Sequence, residues 1–190
     1  DALPISEWDK TSSNENDKTK VFIYPGMGFG TGNHETTFLC LQSAQKYKNK
    51  IQKDFKCLDF GCGSGILGIV LNRLYGCRAD LYDIDQDALN NCVQNIELNN
   101  LDKNDFQLLL PAEREKINLK YNVVFANILQ NVLLSEKKYL SHSLLPGGVL
   151  ILSGLLKGQE DEVIEAYRAE NSLLEHILTY SKGDWVAVEM

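Results

Sequence analysis

The sequence predicts an α/β fold: a doubly wound, mostly parallel sheet that closes on an antiparallel hairpin. Three observations predict it. From residue 55 onward, short apolar runs alternate with stretches whose apolar residues recur at helical spacing. The first strand-to-helix joint in that series is a glycine-rich turn, Gly61-Cys62-Gly63-Ser64-Gly65. The last two apolar runs are separated by a short polar turn, and a strand entering after such a turn must lie antiparallel to its neighbour. Parallel strands require cover on both faces, which the intervening helices supply.

The elements follow in order. Residues 9–20 contain no apolar side chain and are expected to be a mobile linker or loop. That leaves 21–190 as a single folded domain, opening with a short β-type run, Val21–Tyr24, that stops at Pro25-Gly26. Residues 26–33 hold four glycines in eight positions and form a loop with little packing of its own. Residues 34–48 read as a helix, with Phe38, Leu39, Leu41 and Ala44 on one side. Phe55–Phe60 is an apolar strand and Ile66–Tyr75 the helix after the glycine turn. Ala79–Tyr82 is the next strand. Residues 86–99 form an amphipathic helix with Leu89, Cys92, Val93 and Ile96 in phase and Asp85 as its cap. Phe106–Leu110 and Tyr121–Ala126 are strands, the second a buried central one, and 130–144 is a helix. Pro146-Gly147-Gly148 turns into a buried strand, Val149–Leu152. In the helix at 159–170, Glu160, Asp161 and Glu162 fill the first turn, where the macrodipole favours acids. The closing hairpin is Leu173–Thr179 and Trp185–Val188, with Ser181–Asp184 between.

Bulk properties narrow the function. The chain has 190 residues, 44% of them hydrophobic and 24% charged, enough for one compact core. Its net charge is -7 and its pI about 5.0, which suits a basic partner and not a phosphate backbone; no direct nucleic-acid binding is expected. The five cysteines form no C-x-x-C pair and have no histidine at zinc-ligand spacing, so they read as reduced core residues, and no metal is implied. No apolar run approaches the roughly 18–20 residues of a membrane span. No leader is evident in the polar residues 1–20, and a cytoplasmic protein is expected. The first residue is Asp1 and not Met, so a fragment or processed chain is expected.

Four segments carry chemistry. Gly61-Cys62-Gly63-Ser64-Gly65 follows a strand and opens a helix, where missing Cβ atoms let a ligand approach. A dinucleotide fingerprint wants G-x-G-x-x-G, whereas this chain has G-x-G-x-G with Ile66 at the third glycine position. That spacing favours S-adenosylmethionine over a pyrophosphate; the plain alternative is a tight turn. Asp83 ends the next strand, 22 residues after Gly61, where a carboxylate can accept both ribose hydroxyls. Asp85 is its competitor and is better used as the helix cap. Asn127 follows the Tyr121–Ala126 strand, at the sheet edge where ligands bind. Its amide both donates and accepts, which suits a substrate nitrogen or an amino-acid moiety; capping the next helix is the alternative. The chain lacks the Asn/Asp-Pro-Pro-aromatic run of base-directed enzymes there. Last, in Gly28-Phe29-Gly30-Thr31-Gly32-Asn33-His34-Glu35-Thr36-Thr37, Phe29 can cover a cofactor and the threonine hydroxyls can bond to it. His34 is either a proton acceptor or a helix-start residue.

At this point several runs in order resemble one family. They are GMGFGTGNHETT, LDFGCGSGILGI, YDIDQDAL, VVFANIL, LLPGGVLILSGLL and GDWVAV, spread over residues 21–190. They resemble the ribosomal protein L11 methyltransferases, of which the FGTG-N-H-E-TT run is the discriminating piece. The resemblance implies a Rossmann-like, seven-stranded class I methyltransferase sheet with S-adenosylmethionine as cofactor. Carried over residue by residue, it makes Thr37 (with Thr36 as the one-residue alternative), Gly61, Asp83 and Asn127 cofactor contacts. Gly63 and Phe29 complete the expected cofactor shell, and His34 with Asn127 are the residues expected at the reacting amine. The implied reaction methylates lysine ε-amines and an N-terminal α-amine of the basic ribosomal protein L11. Family members begin with a separate small α/β domain that holds the substrate, followed by a linker; residues 1–20, Trp8 included, resemble the flexible end of that linker, and the substrate domain is expected to be absent from this chain. Other readings of the same cofactor shell are methylation of RNA or a small molecule, or a binding module without activity.

Overall fold

The structure, a computed structural model, describes residues 3–5, 20–24, 32–49, 54–114 and 120–190. Its strands are β1 (Leu3–Ile5), β2 (Val21–Ile23), β3 (Lys56–Phe60), β4 (Arg78–Tyr82), β5 (Phe106–Leu109), β6 (Tyr121–Asn127), β7 (Leu144–Leu156), β8 (Leu178–Lys182) and β9 (Trp185–Glu189). Its α-helices are α1 (Glu35–Gln45), α2 (Ile66–Tyr75), α3 (Gln86–Leu98), α4 (Pro111–Arg114), α5 (Gln130–His142) and α6 (Glu160–Glu170). The main sheet has seven strands in the order β5-β4-β3-β6-β7-β9-β8, with β9 antiparallel to both its neighbours and the others parallel. The doubly wound, mostly parallel sheet with a closing hairpin is therefore the observed fold.

Period-two alternation sorts the strand residues onto two cores. Cys57, Val123, Phe125 and Ile151 face the layer of α1, α2 and α3. Leu58, Phe60, Val124, Leu150 and Leu152 face the layer of α5 and α6. All of these are buried, as strands covered on both faces must be. The cysteines behave as small apolar residues: all five are free and buried. Among the described residues no helix is long and apolar enough to cross a membrane.

Differences from expectation have local causes. The predicted strand Val149–Leu152 is the middle of a 13-residue strand, because Pro146-Gly147-Gly148 is a bulge and not a turn: the register against β6 jumps from Tyr121↔Leu144 to Val123↔Val149. In the hairpin, the first strand begins at Leu178 and not Leu173. Asn171 folds 171–174 into a local turn, its side chain accepting from Leu173 N–H at 3.1 Å and its carbonyl from Leu174 N–H at 3.0 Å. Pairing with β9 starts only at Leu178↔Glu189. Within the stretch read as a linker remnant, Leu3–Ile5 pairs antiparallel with β2; residues 6–19 lie outside the described residues. The strand β2 stands apart from the main sheet and is held to α3 by side chains. Asn99 brackets Phe22, accepting from its N–H at 2.8 Å and donating to its C=O at 2.7 Å, and Asn95 accepts from Tyr24 N–H at 2.7 Å.

Candidate active site at the carboxyl edge of the sheet

Strand order reverses between β3 and β6, and the loops leaving those two strands border the resulting crevice. The loop after β3 is folded back by Gly61 and Cys62, whose N–H groups both donate to the Tyr82 carbonyl, at 2.8 and 2.9 Å. Gly61 has φ 72°, and a Cβ there would stand 2.4 Å from Ile128 Cγ2. From the other side, a Cβ at Gly154 (φ 84°) would stand 2.4 Å from the Ile128 carbonyl oxygen. Ile128 is thus clamped between two glycines that admit no side chain. Its N–H donates to Ser153 O at 3.2 Å.

That clamp sets Asn127, the last residue of β6, paired in register with Ser153. Its side chain is half-buried, and its amide has no hydrogen-bond partner among the described residues. It does not cap α5: the N-cap is Leu129, which makes no side-chain capping bond.

Asp83 lies across the crevice. Its Oδ2 accepts from Gly63 N–H at 2.9 Å and its Oδ1 from Asp85 N–H at 3.0 Å. A carboxylate offers about four acceptor positions, so each oxygen keeps capacity for a further donor. Asp85 is the α3 cap, accepting from Asp87 N–H at 2.9 Å. Beneath the glycine loop sits Asp59, which sequence reasoning passed over as a strand residue. It is buried and accepts from Gly68 N–H at 3.1 Å, tying the strand to the first turn of α2. Burial pushes its carboxyl up to about 7; the Gly68 N–H opposes this and the charge of Asp83 adds to it.

The start of α1 forms the third wall. His34 is its N-cap, with Nδ1 accepting from Thr36 N–H at 3.3 Å and lying 2.8 Å from Thr36 Oγ1. The Nδ1 lone pair is therefore committed to the cap. The His34 ring meets Trp185 edge-on, centroids 4.8 Å apart. Ser153 Oγ donates to Thr36 O at 3.4 Å, fixing α1 against β7. Thr37 is buried, and its hydroxyl has no partner among the described residues. Gly61, Gly63, Asp83 and Asn127 thus meet at the crevice, with Thr36, Thr37 and His34 at the adjoining helix start. Phe29 lies outside the described residues. Trp185 went unassigned in the sequence because only the antiparallel insertion of β9 brings its first residue to this edge.

Comparisons with known proteins converge on one family. A family described as "Ribosomal protein L11 methyltransferase (PrmA)" matches residues 2–190. A ribosomal protein L11 methyltransferase of Campylobacter lari is 35% identical over 181 residues, covering 95% of this chain and 60% of the relative. One of Hahella chejuensis is 40% identical over 170 residues, covering 88% of this chain and 54% of the relative. The chain thus spans somewhat over half the length of the curated relatives it matches. A crystal structure of a ribosomal protein L11 methylase from Lactobacillus delbrueckii subsp. bulgaricus superposes with a TM-score of 0.80 at 27% identity, covering 96% of this chain and 90% of that one.

Proposed function

Since the chain belongs to the ribosomal protein L11 methyltransferase family, we propose that it binds S-adenosylmethionine in this crevice and methylates amines of ribosomal protein L11. The targets are lysine ε-amines and the N-terminal α-amine. One observation carries the reading: an Asp83 carboxylate oriented by two backbone N–H groups, with acceptor capacity left over, beside a glycine loop.

The donor set fits the cofactor. An acceptor-only carboxylate matches a ribose diol, which offers two donors. Thr37 suits the amino-acid end better than Thr36, whose hydroxyl is already engaged by His34. Gly61 and Gly63 give backbone access, and Phe29 is proposed as the cover. When bound, S-adenosylmethionine supplies an electrophilic methyl next to a positive sulfonium. The chain's own residues must then present a neutral amine. A lysine of ordinary pKa is neutral about once in 2,500 at pH 7, a cost of about 4–5 kcal/mol. Desolvation in the crevice lowers that cost, and holding the nitrogen in line supplies much of the rest. The unpartnered Asn127 amide is placed to orient the nitrogen. His34 caps α1 and lines the site, and the amine proton leaves to water. Residues 21–190 are the catalytic domain in this reading, residues 1–20 the end of a linker, and the cytoplasm the location.

Two measurements test it. Calorimetry of this chain with S-adenosylmethionine must show one-site binding. Tritiated methyl donor with the full-length gene product must label recombinant L11. Absence of binding sinks the whole reading, and label only on RNA or a metabolite sinks its substrate.

A further inference from the structure

Beside Asn127 the sheet edge carries a set of exposed apolar side chains. Leu129 is 65% exposed, Val132, one turn into α5, 36%, and Leu156, the last residue of β7, 44%. The elements that carry them are tied to one another. The Ile128 clamp presses the loop after β6 against Gly154. Gln130 Nε2 donates to Glu162 Oε2 at 2.6 Å, joining the first turns of α5 and α6. Leu156 pairs in register with half-buried Trp185, whose ring meets His34.

Helix physics does not ask for this surface. The N-cap of α5 is a position where Ser, Thr, Asp or Asn contributes about 1 kcal/mol. Here it is an exposed leucine with no capping bond. The core side of α5 is made by Leu133 and Leu140, so Val132 is not needed there either. Acids occupy the adjoining positions: Glu162 is bonded to Gln130, Glu160 and Asp161 share its turn of α6 with Glu160 accepting from Gly158 N–H, Asp184 precedes Trp185, and Glu35 follows His34. The neighbouring cations are Lys157 and Lys182, and the Lys182 ammonium lies 3.8 Å from the Phe38 ring centroid. Five acids against two lysines leave the rim negative. The macrodipole of α6 accounts for acids in its first turn, but not for Asp184 in the hairpin turn.

We propose that Leu129, Val132, Leu156 and Trp185 form the docking surface for the polypeptide segment that carries the target amine, a basic segment with an apolar side chain next to that amine. This rests on the function proposed above and adds which residues hold the substrate chain. The apolar side chains exclude water around the amine, and the acidic collar attracts a cationic partner while repelling a phosphate backbone.

The test uses the full-length gene product, L11 as acceptor, and Leu129→Ser and Leu156→Ser. Leu129→Ser supplies a capping hydroxyl, so its thermal midpoint should hold or rise, and misfolding cannot explain a loss. Each variant should raise KM for L11 tenfold or more, with kcat within twofold and the Kd for S-adenosylmethionine unchanged. Asp161→Lys should lower kcat/KM several-fold at low salt, and the loss should fade at high salt. If the parent methylates L11 and both serine variants keep their KM within twofold, the docking surface is wrong and the function stands. If the parent binds the cofactor but neither binds nor methylates L11, the docking surface and the substrate reading fail together. Transfer to RNA that is sensitive to the same variants would also overturn it.

Discussion

The two edges of the sheet handle their polar groups in opposite ways. At the amino edge polar groups are saturated from within the chain. Glu189, fully buried near the end of β9, accepts from Ser43 Oγ at 2.7 Å, Lys46 Nζ at 3.0 Å, Tyr180 OH at 2.8 Å and Tyr47 OH. Asp80, buried in β4, is held by Lys56 Nζ at 2.9 Å and Tyr121 OH at 2.8 Å, beside a cleft of about 490 Å³. At the carboxyl edge groups are held in place but left incomplete: Asp83 keeps spare acceptor positions, Asn127 and Thr37 lack partners among the described residues, and the α5 start lacks a side-chain cap. A satisfied network stabilises the fold. An oriented, unsatisfied group is ready for a ligand. The contrast separates the part of the molecule that keeps it folded from the part proposed to bind the cofactor.

Substitutions can break that contrast, and the largest effect should come from Asp83→Ala. Charge-assisted hydrogen bonds contribute roughly 1.5–3 kcal/mol each, so losing two should weaken S-adenosylmethionine by about 10²–10⁴-fold in calorimetry. The thermal midpoint should move little. Binding retained within fivefold would refute the assignment of this edge. Next is Glu189→Ala, which should do the reverse. Removing the shared acceptor of four donors should cost about 2–4 kcal/mol in urea unfolding, softened because the Lys46 side chain is 44% exposed. Cofactor Kd should stay within twofold. Burial pushes the Glu189 carboxyl up, but the donors from Tyr47, Ser43, Tyr180 and Lys46 outweigh it and hold it below its ordinary value of 4.5. Its stabilisation is therefore present above that pH and is lost on acidification through the lowered value.

The smallest and most diagnostic effect concerns Asp59, which lies between the two regimes. Its carboxyl is raised from 3.8 to about 7, so the native state favours the protonated form. The stability this contributes is present below pH 3.8 and is lost as pH rises through about 7. Asp59→Asn, nearly isosteric, should match the parent near pH 4 and exceed it by ~1–3 kcal/mol at pH 8. Parallel stability curves for the two proteins from pH 4 to 8 would show that Asp59 does not carry this dependence.

Much of this was legible in the sequence where a local signal and the tertiary need coincide. The helix α2 runs Ile66–Tyr75, as expected, because Gly65 and Gly76 bound it on both sides. Asp83, Gly61 and Asn127 could be placed because strand ends and a glycine turn put them at one edge of any such sheet. Local signals failed where pairing decides. Pro146-Gly147-Gly148 has the composition of a turn, and only the register against β6 makes it a bulge. Leu173–Ile177 is apolar enough for a strand, but only its last residue reaches the sheet, Ile177 N–H donating to Glu189 O at 2.8 Å. Trp185 carries no local signal of a role, since its place at this edge depends on pairing with distant β7. The state of Asp59 depends on burial, which strand periodicity does not reveal.

The insertion of β9 between β7 and β8 carries a cost in time. A strand synthesised late must enter the interior of a sheet whose other members are already made, so native pairing there joins Leu152 to Val188 across the intervening α6 and β8. High contact order of this kind slows folding. Until Trp185–Glu189 arrive, the flank of β7 presents unpaired backbone groups around Leu150–Leu152, a template for intermolecular pairing. The nascent chain therefore passes through an interval of aggregation risk that ends only when β9 closes the seam.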